Sequence, residues 1–413
     1  MAGEPEGPFP AGPPPEVAAV AAAARSRGLC DDCFGRLIGG WGHGLTNRER
    51  AALLDSTLAE PRAARDGECP LCRGLFGHLD RWVDRVVAAG AGAEWSTFAC
   101  GSRWDPGLLA AEELLWSEVG TAWGESAHAA FNRELGKLVE ARTGAVGAPD
   151  RPEIVFVADL PLGHVEVTVQ PLYVMGRYRK LDRELPQTRW PCRRCRGRGC
   201  DRCGGTGKTY AESVEELVAA PFVAATRATG TRFHGMGRED RDARMLGDGR
   251  PFVLELLQPE KRRVDVGALA QSVASSSGGR VEVLEATPAT AADVVRVKEA
   301  APEKSYRVEV AGAVPGEKVN EALRLATARA IAQRTPTRVA HRRADRVRTR
   351  RIVAATLVAE GPEGFTLEVR AEAGTYIKEW VDGDAGRTEP SLADLVGTPL
   401  SVRALDVLEI HDR

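Results

Sequence analysis

The stretch Phe233-His-Gly-Met-Gly-Arg-Glu-Asp-Arg-Asp-Ala-Arg-Met-Leu-Gly247 places six charged side chains between Arg238 and Arg244, directly after two glycines. Gly235 and Gly237 let the backbone bend, so an acidic side chain can be presented from a loop. By composition alone the run also reads as a solvated, salt-bridged face. It leads into Pro251-Phe-Val-Leu-Glu-Leu-Leu257, an apolar run of strand length. A charged loop feeding a buried strand is the unit around which the rest of the chain is read.

The chain has 413 residues, room for two or three domains, with 43% hydrophobic and 28% charged residues. Those values are globular rather than disordered or fibrous. The net charge of -2 names no partner, so any nucleic-acid contact must come from local basic patches. No apolar run approaches the length of a spanning helix, and no membrane partner is expected. Met1 to Glu16 carries six prolines and lacks a secretory signal pattern. Residues 1–20 are therefore expected to be a disordered leader and the protein cytoplasmic.

Eight of the nine cysteines stand in Cys-x-x-Cys pairs: Cys30 and Cys33, Cys69 and Cys72, Cys192 and Cys195, Cys200 and Cys203. Two such pairs supply the four thiolates of a closed structural Zn2+ site, whereas a disulfide framework is implausible in a long chain without an export signal. Cys30, Cys33, Cys69 and Cys72 form the clearest single site, although spacing alone leaves open how the thiolates divide between ions. The second cluster, residues 192–203, is glycine- and arginine-rich and resembles the zinc repeats of DnaJ-type co-chaperones. Cys100, with no cationic neighbour to activate it, reads as a small buried hydrophobe. Gly207-Lys208-Thr209 looks like the tail of a phosphate loop, but residue 202, where that loop's first glycine would stand, is Arg. No nucleotide cofactor is expected.

Apolar periodicity predicts helices over 51–59, 77–89, 108–119 and 127–141, then strands over 153–160 and 164–174. Further on, strands are expected at 251–257, 280–286, 306–312, 352–358, 365–371 and 405–410, with helices at 264–275 and 318–333. Two basic tracts stand out. Gly176 to Arg202 has ten Lys or Arg against three acids, and Arg334 to Arg351 has eight Arg against one acid. Guanidinium groups at that density fit a phosphate backbone, although the first tract also reads as a solvated linker.

Gly237-Arg-Glu-Asp240 resembles the Gly-Arg-x-Asp loop of pseudouridine synthases. The longer run from Phe233 to Glu255 is similar to the archaeal and eukaryotic tRNA pseudouridine synthase family that acts on the TΨC arm. Gly101-Ser-Arg-Trp104, Asn132-Arg-Glu-Leu-Gly-Lys137, Gly176-Arg-Tyr-Arg-Lys180, Gln187-Thr-Arg-Trp190, Gly374-Thr-Tyr-Ile-Lys-Glu-Trp380 and Gly383-Asp-Ala-Gly-Arg-Thr388 follow in the order of that family. The resemblance implies uridine-to-pseudouridine isomerisation at tRNA positions 54 and 55, and an N-terminal THUMP-containing domain that docks the tRNA. It implies Asp240 as the catalytic carboxylate, Lys378 as its basic partner and Tyr306 as the active-site tyrosine. It further implies Ile377 and Leu405 as pocket lining. Arg238 and Arg244, beside the acid, are expected to contact phosphates near the target, or else to pair with Glu239 or Asp242.

The expected architecture is α+β. A zinc-stapled, THUMP-like domain over residues 21–190 and a Cys-rich knuckle over 191–208 precede a catalytic domain over 209–413. The catalytic domain is expected to hold a mixed, mainly antiparallel sheet flanked by helices. Zinc is structural in this reading, and an isomerisation needs no organic cofactor. A THUMP-type enzyme of other chemistry would need a cofactor loop that the sequence lacks. A non-catalytic, zinc-containing RNA-binding module is the alternative, and oligomeric state is left open.

Overall fold

The computed structural model describes residues 12–56, 58–63, 67–340 and 343–412. The chain divides into two compact units, residues 1–170 and 171–413. Among the described residues no helix is long and apolar enough to cross a membrane.

The first unit runs α1 (Pro15–Ala24), α2 (Asp31–Arg36), α3 (Asn47–Asp55), α4 (Leu79–Gly90), β1 (Thr97–Arg103), α5 (Pro106–Val119), α6 (Ala127–Thr143), β2 (Val146–Gly147), β3 (Ile154–Asp159) and β4 (His164–Val169). Local chemistry sets the helix starts. Thr46 and Glu49 form a capping box on α3, and Asp105 and Ser126 accept backbone N–H groups at the starts of α5 and α6. The sheet order is β2-β1-β3-β4, with β1 parallel to both its neighbours and β4 antiparallel to β3. Trp82, Val83 and Val86 of α4, Phe131 and Leu135 of α6, and Phe98 and Phe156 of the strands share one core with Cys33, Cys69 and Cys72.

The second unit runs β5 (Leu172–Lys180), α7 (Val214–Thr226), β6 (Gly230–Gly235), β7 (Arg244–Leu257), α8 (Val266–Ser276), β8 (Val281–Ala289), α9 (Ala291–Glu299), β9 (Lys304–Ala311), α10 (Gly316–Ala328), β10 (Ala330–Arg334), β11 (Val347–Gly361), β12 (Gly364–Ala371), α11 (Ile377–Asp382), β13 (Thr388–Glu389), α12 (Leu392–Val396) and β14 (Ser401–Ile410). One sheet is ordered β13-β10-β11-β12-β9-β14-β7-β5-β8, with β6 also paired to β7. Every pairing is antiparallel except the short β14–β7 seam, where Asp406 faces Arg244 and Val407 faces Met245. The mixed, mainly antiparallel sheet is the one expected.

Several boundaries differ from the sequence reading. Of the leader expected over 1–20, residues 1–11 lie outside the described residues, while α1 begins at Pro15, within that span, and buries Val17 and Ala21. The unit boundary falls at 170/171 rather than 190, because β5 pairs with β7 and β8 in the sheet of the second unit. The strand expected over 164–174 is two strands in two sheets, interrupted at Pro171, which has no N–H for a ladder. The helix expected over 318–333 ends at Ala328. Beyond it Ile331 and Gln333 are buried while their neighbours are exposed, the two-residue period of β10.

Candidate active site and metal centres

The loop of residues 236–243 joins β6 to β7 and carries Asp240, half-buried. Gly237 has a φ of +77°, a left-handed conformation that costs glycine no Cβ clash. Beneath the loop Lys180, fully buried at the end of β5, donates from Nζ to the carbonyls of Leu185 at 2.9 Å, Asp240 at 3.1 Å and Arg241 at 2.7 Å. Burial pulls the Lys180 ammonium down to about 8. Gln187 Nε2 donates to the Gly237 carbonyl at 3.0 Å and Arg250 Nη1 to the Met236 carbonyl at 2.7 Å. Glu239, the neighbour of Asp240, is buried and accepts from Tyr178 Oη at 2.9 Å and Arg250 Nε at 2.7 Å. The loop is thus pinned by buried hydrogen bonds on both sides of Asp240.

Two cations face the Asp240 carboxylate. Arg338 Nη1 donates to its Oδ1 at 2.8 Å and also pairs with Glu379. Lys378, on α11, is expected from sequence to be the partner, but its Nζ lies 3.7 Å from Asp240 Oδ2. Its hydrogen bonds go to Asp242, at 2.7 and 2.8 Å. Burial raises the Asp242 carboxyl, but Lys378, together with the Asp242 backbone N–H and Arg338, holds it below its ordinary value. Arg338 is raised further, Glu379 and Asp240 outweighing its burial.

Tyr306, on β9, is buried, and burial, with a smaller contribution from Asp240, pushes its phenol up to about 12. The phenol is therefore protonated at neutral pH and close enough to sense the carboxylate. Ile377 opens α11 and Leu405 lies on β14; both are buried in the core of this unit. Arg183 Nη1 donates to the carbonyls of Leu405 at 2.9 Å and Asp242 at 3.1 Å, tying β14 to the 236–243 loop.

Of the two expected phosphate contacts, Arg238 is exposed and lies 5.1 Å over the Trp190 ring. Arg244 instead makes two hydrogen bonds to Asp406, at 2.6 and 3.1 Å, across the β14–β7 seam. Its intraprotein partner is thus Asp406 rather than Glu239 or Asp242. Arg338, Lys180 and Arg250 carry no sequence signal that marks them as site residues, and Glu239 is legible only as a pairing partner for Arg238 or Arg244. Arg338 stood anonymous within the arginine tract, and Lys180 within the quoted Gly176-Arg-Tyr-Arg-Lys180.

The eight paired cysteines form two separate clusters, Cys30 with Cys33, Cys69 and Cys72, and Cys192 with Cys195, Cys200 and Cys203. Cys30 and Cys72 sulfurs are 3.6 Å apart; in the second cluster Cys192 and Cys200 are 4.0 Å apart, Cys195 and Cys203 3.9 Å, and Cys200 and Cys203 3.7 Å. A tetrahedral ion with metal–sulfur bonds near 2.3 Å requires sulfurs about 3.8 Å apart, so both sets fit such an ion. Asp159, His164 and Glu166 also lie close together, but the Arg103 guanidinium already bonds both acids. Burial alone pushes the Cys100 thiol up to about 12, which leaves it unreactive.

Residues 173–411 match the family model described as Pus10, C-terminal, and residues 82–159 the archaeal Pus10 THUMP domain. Two curated relatives are both named tRNA pseudouridine synthase Pus10. The protein of Methanothrix thermoacetophila is 42% identical, covering 92% of this chain and 91% of its own length. That of Halorubrum lacusprofundi is 40% identical, with 96% of each chain covered. A crystal structure of a Cbf5-Nop10-Gar1 complex aligns with 57% of this chain and 48% of its own at 15% identity and a TM-score of 0.33. With its C-terminal model spanning more than half of the chain and relatives matching over nearly all of it, this protein belongs to the Pus10 family of tRNA pseudouridine synthases.

Proposed function

We propose that this protein isomerises uridine to pseudouridine in the TΨC arm of tRNA, at positions 54 and 55, with Asp240 as the nucleophile. The observation that carries the reading is the Asp240 carboxylate on a loop pinned from below and faced by Arg338 and Lys378. The target uridine is extruded from the stack to reach it. The carboxylate attacks C1′ of the ribose or C6 of the uracil, and the adjacent cations keep it ionised and in one rotamer. The glycosidic C–N bond breaks, the uracil turns, C5 bonds to C1′, and the bond Asp240 made to C1′ or C6 breaks to return the free carboxylate. The C5 proton leaves and N1 takes one up, so atoms and electrons balance without a redox cofactor. Tyr306 stacks on the base and its protonated hydroxyl serves as a donor. Ile377 and Leu405 line the pocket, and Arg238 contacts a flanking phosphate.

The first unit docks the tRNA through its THUMP domain, and the reaction takes place in the cytoplasm. Both thiolate clusters hold structural Zn2+, which supplies folding energy and no chemistry. The test is pseudouridine mapping on an unmodified tRNA transcript, with wild type and Asp240→Ala compared at matched RNA binding. Product in the TΨC arm from wild type alone supports the assignment. Binding without product from a metal-loaded wild type would instead make the chain an RNA-binding module.

A further inference from the structure

The Cys192–Cys203 knuckle lies between β5 and α7, and its stem is short. Cys192 N–H donates to the Gly207 carbonyl at 2.7 Å, Thr209 N–H donates to the Trp190 carbonyl at 2.9 Å, and Pro191 forms a bridge with Lys208. The stem holds two aromatic rings together, Trp190 and Tyr210, edge to face at 5.6 Å. Each ring carries a guanidinium from the catalytic loop: Arg238 lies 5.1 Å over Trp190, and Arg241 lies 5.4 Å over Tyr210. These two arginines bracket Glu239 and Asp240 in the sequence.

We propose that the metal-closed knuckle fixes the catalytic loop through this aromatic pair, so that Trp190 and Tyr210 are positioning residues for Asp240. Five exposed arginines, Arg193, Arg194, Arg196, Arg198 and Arg202, crowd the knuckle and repel one another. Bound metal, holding four thiolates, is what keeps so cationic a loop folded back on its stem. The loop is also too tight for side chains at its crossing, since a Cβ on Gly207 would meet the Gly197 carbonyl oxygen at 2.3 Å. When the ion leaves, the register of Trp190 against Tyr210 is lost, and with it both cation–π seats. The catalytic consequence rests on the proposed role of Asp240; the coupling of metal to loop order does not.

Hydrogen exchange followed by mass spectrometry tests the coupling on the full-length, metal-loaded protein. Loaded wild type is compared with chelator-stripped protein and with Trp190→Leu, Tyr210→Leu and Trp190→Phe. The peptide covering residues 236–243 is expected to exchange about tenfold faster after stripping, the size that two surface cation–π contacts support together, and about two- to fivefold faster in each leucine variant, which removes one of them. Peptides from 251–257 stay protected, which separates the effect from unfolding. Trp190→Leu retains its metal and its tRNA affinity but loses about two- to fivefold in kcat, the worth of one surface cation–π contact, and Trp190→Phe restores most of it. Unchanged exchange at 236–243 after confirmed metal loss would overturn the proposal. So would a Trp190→Leu variant that loses tRNA affinity at full kcat, which would make the ring an RNA contact. If Asp240 proves dispensable for product, the functional reading fails while the exchange result still stands or falls by itself.

Discussion

Arg338 makes the direct hydrogen bond to the Asp240 carboxylate, 2.8 Å from Nη1 to Oδ1, across 98 residues of sequence. Lys378 stands 3.7 Å from the same carboxylate while bonded to Asp242. The two cations therefore divide the work: Arg338 orients the Asp240 carboxylate and Lys378 supports the loop through Asp242. Arg338→Met is expected to slow the single-turnover rate about 10- to 100-fold, the worth of one charge-assisted hydrogen bond. Lys378→Met is expected to cost less in rate and more in loop order. A full-rate Arg338→Met would return the partner role to Lys378.

Lys180 yields a pH signature with opposite signs for activity and stability. Its ammonium has three donors for three carbonyls, whereas the neutral amine has two. Burial lowers its pKa in the folded protein from 10.5 to about 8, so between those values the unfolded chain binds more protons. Its contribution to folding stability therefore rises with pH from about 8 to 10.5, and its cost is fully present below about 8. Single-turnover rate is expected to fall as pH rises through about 8, as the third donor is lost. Lys180→Arg, charged throughout, should remove that limb of the profile; if the limb persists, another group titrates there.

Glu239 is fully buried between Tyr178 and Arg250, and Arg250 has a side-chain exposure of 1%. Glu239→Gln leaves a buried guanidinium without its counter-charge. The expected loss is about 3–5 kcal/mol, measured by chemical denaturation, with the catalytic loop disordered before the sheet unfolds. A loss below 1 kcal/mol would show that water or a shifted carbonyl satisfies Arg250.

Metal removal should affect the two clusters unequally. Cys33, Cys69 and Cys72 belong to the core of the first unit, whereas the 192–203 cluster lies outside the core of the second. Zinc in a closed thiolate site contributes on the order of 10–16 kcal/mol of apparent binding energy. Cys33→Ser is therefore expected to unfold the first unit, and Cys192→Ser to leave the large sheet intact. Limited proteolysis with measured metal content separates these outcomes; equal protease resistance of both variants would contradict them.

Local patterns in the sequence were enough to determine much of this protein. The Cys-x-x-Cys spacing marked the thiolates because ligands with two residues between them can share one ion without long-range help, and the apolar periods of α4, α6, β7 and β12 reported which side faces a core. The glycines before Arg238-Glu-Asp240 marked the loop that carries the acid. The tertiary structure decided what no local period encodes. It closed the division of the cysteines into 30–72 and 192–203 clusters, moved β5 into the catalytic sheet, turned residues 330–334 from helix into strand, and gave Arg244 to Asp406. Above all it chose Arg338 from a tract of eight arginines as the partner of Asp240. A guanidinium's partner is fixed by where chain closure leaves a carboxylate, and composition treats every arginine in such a tract alike.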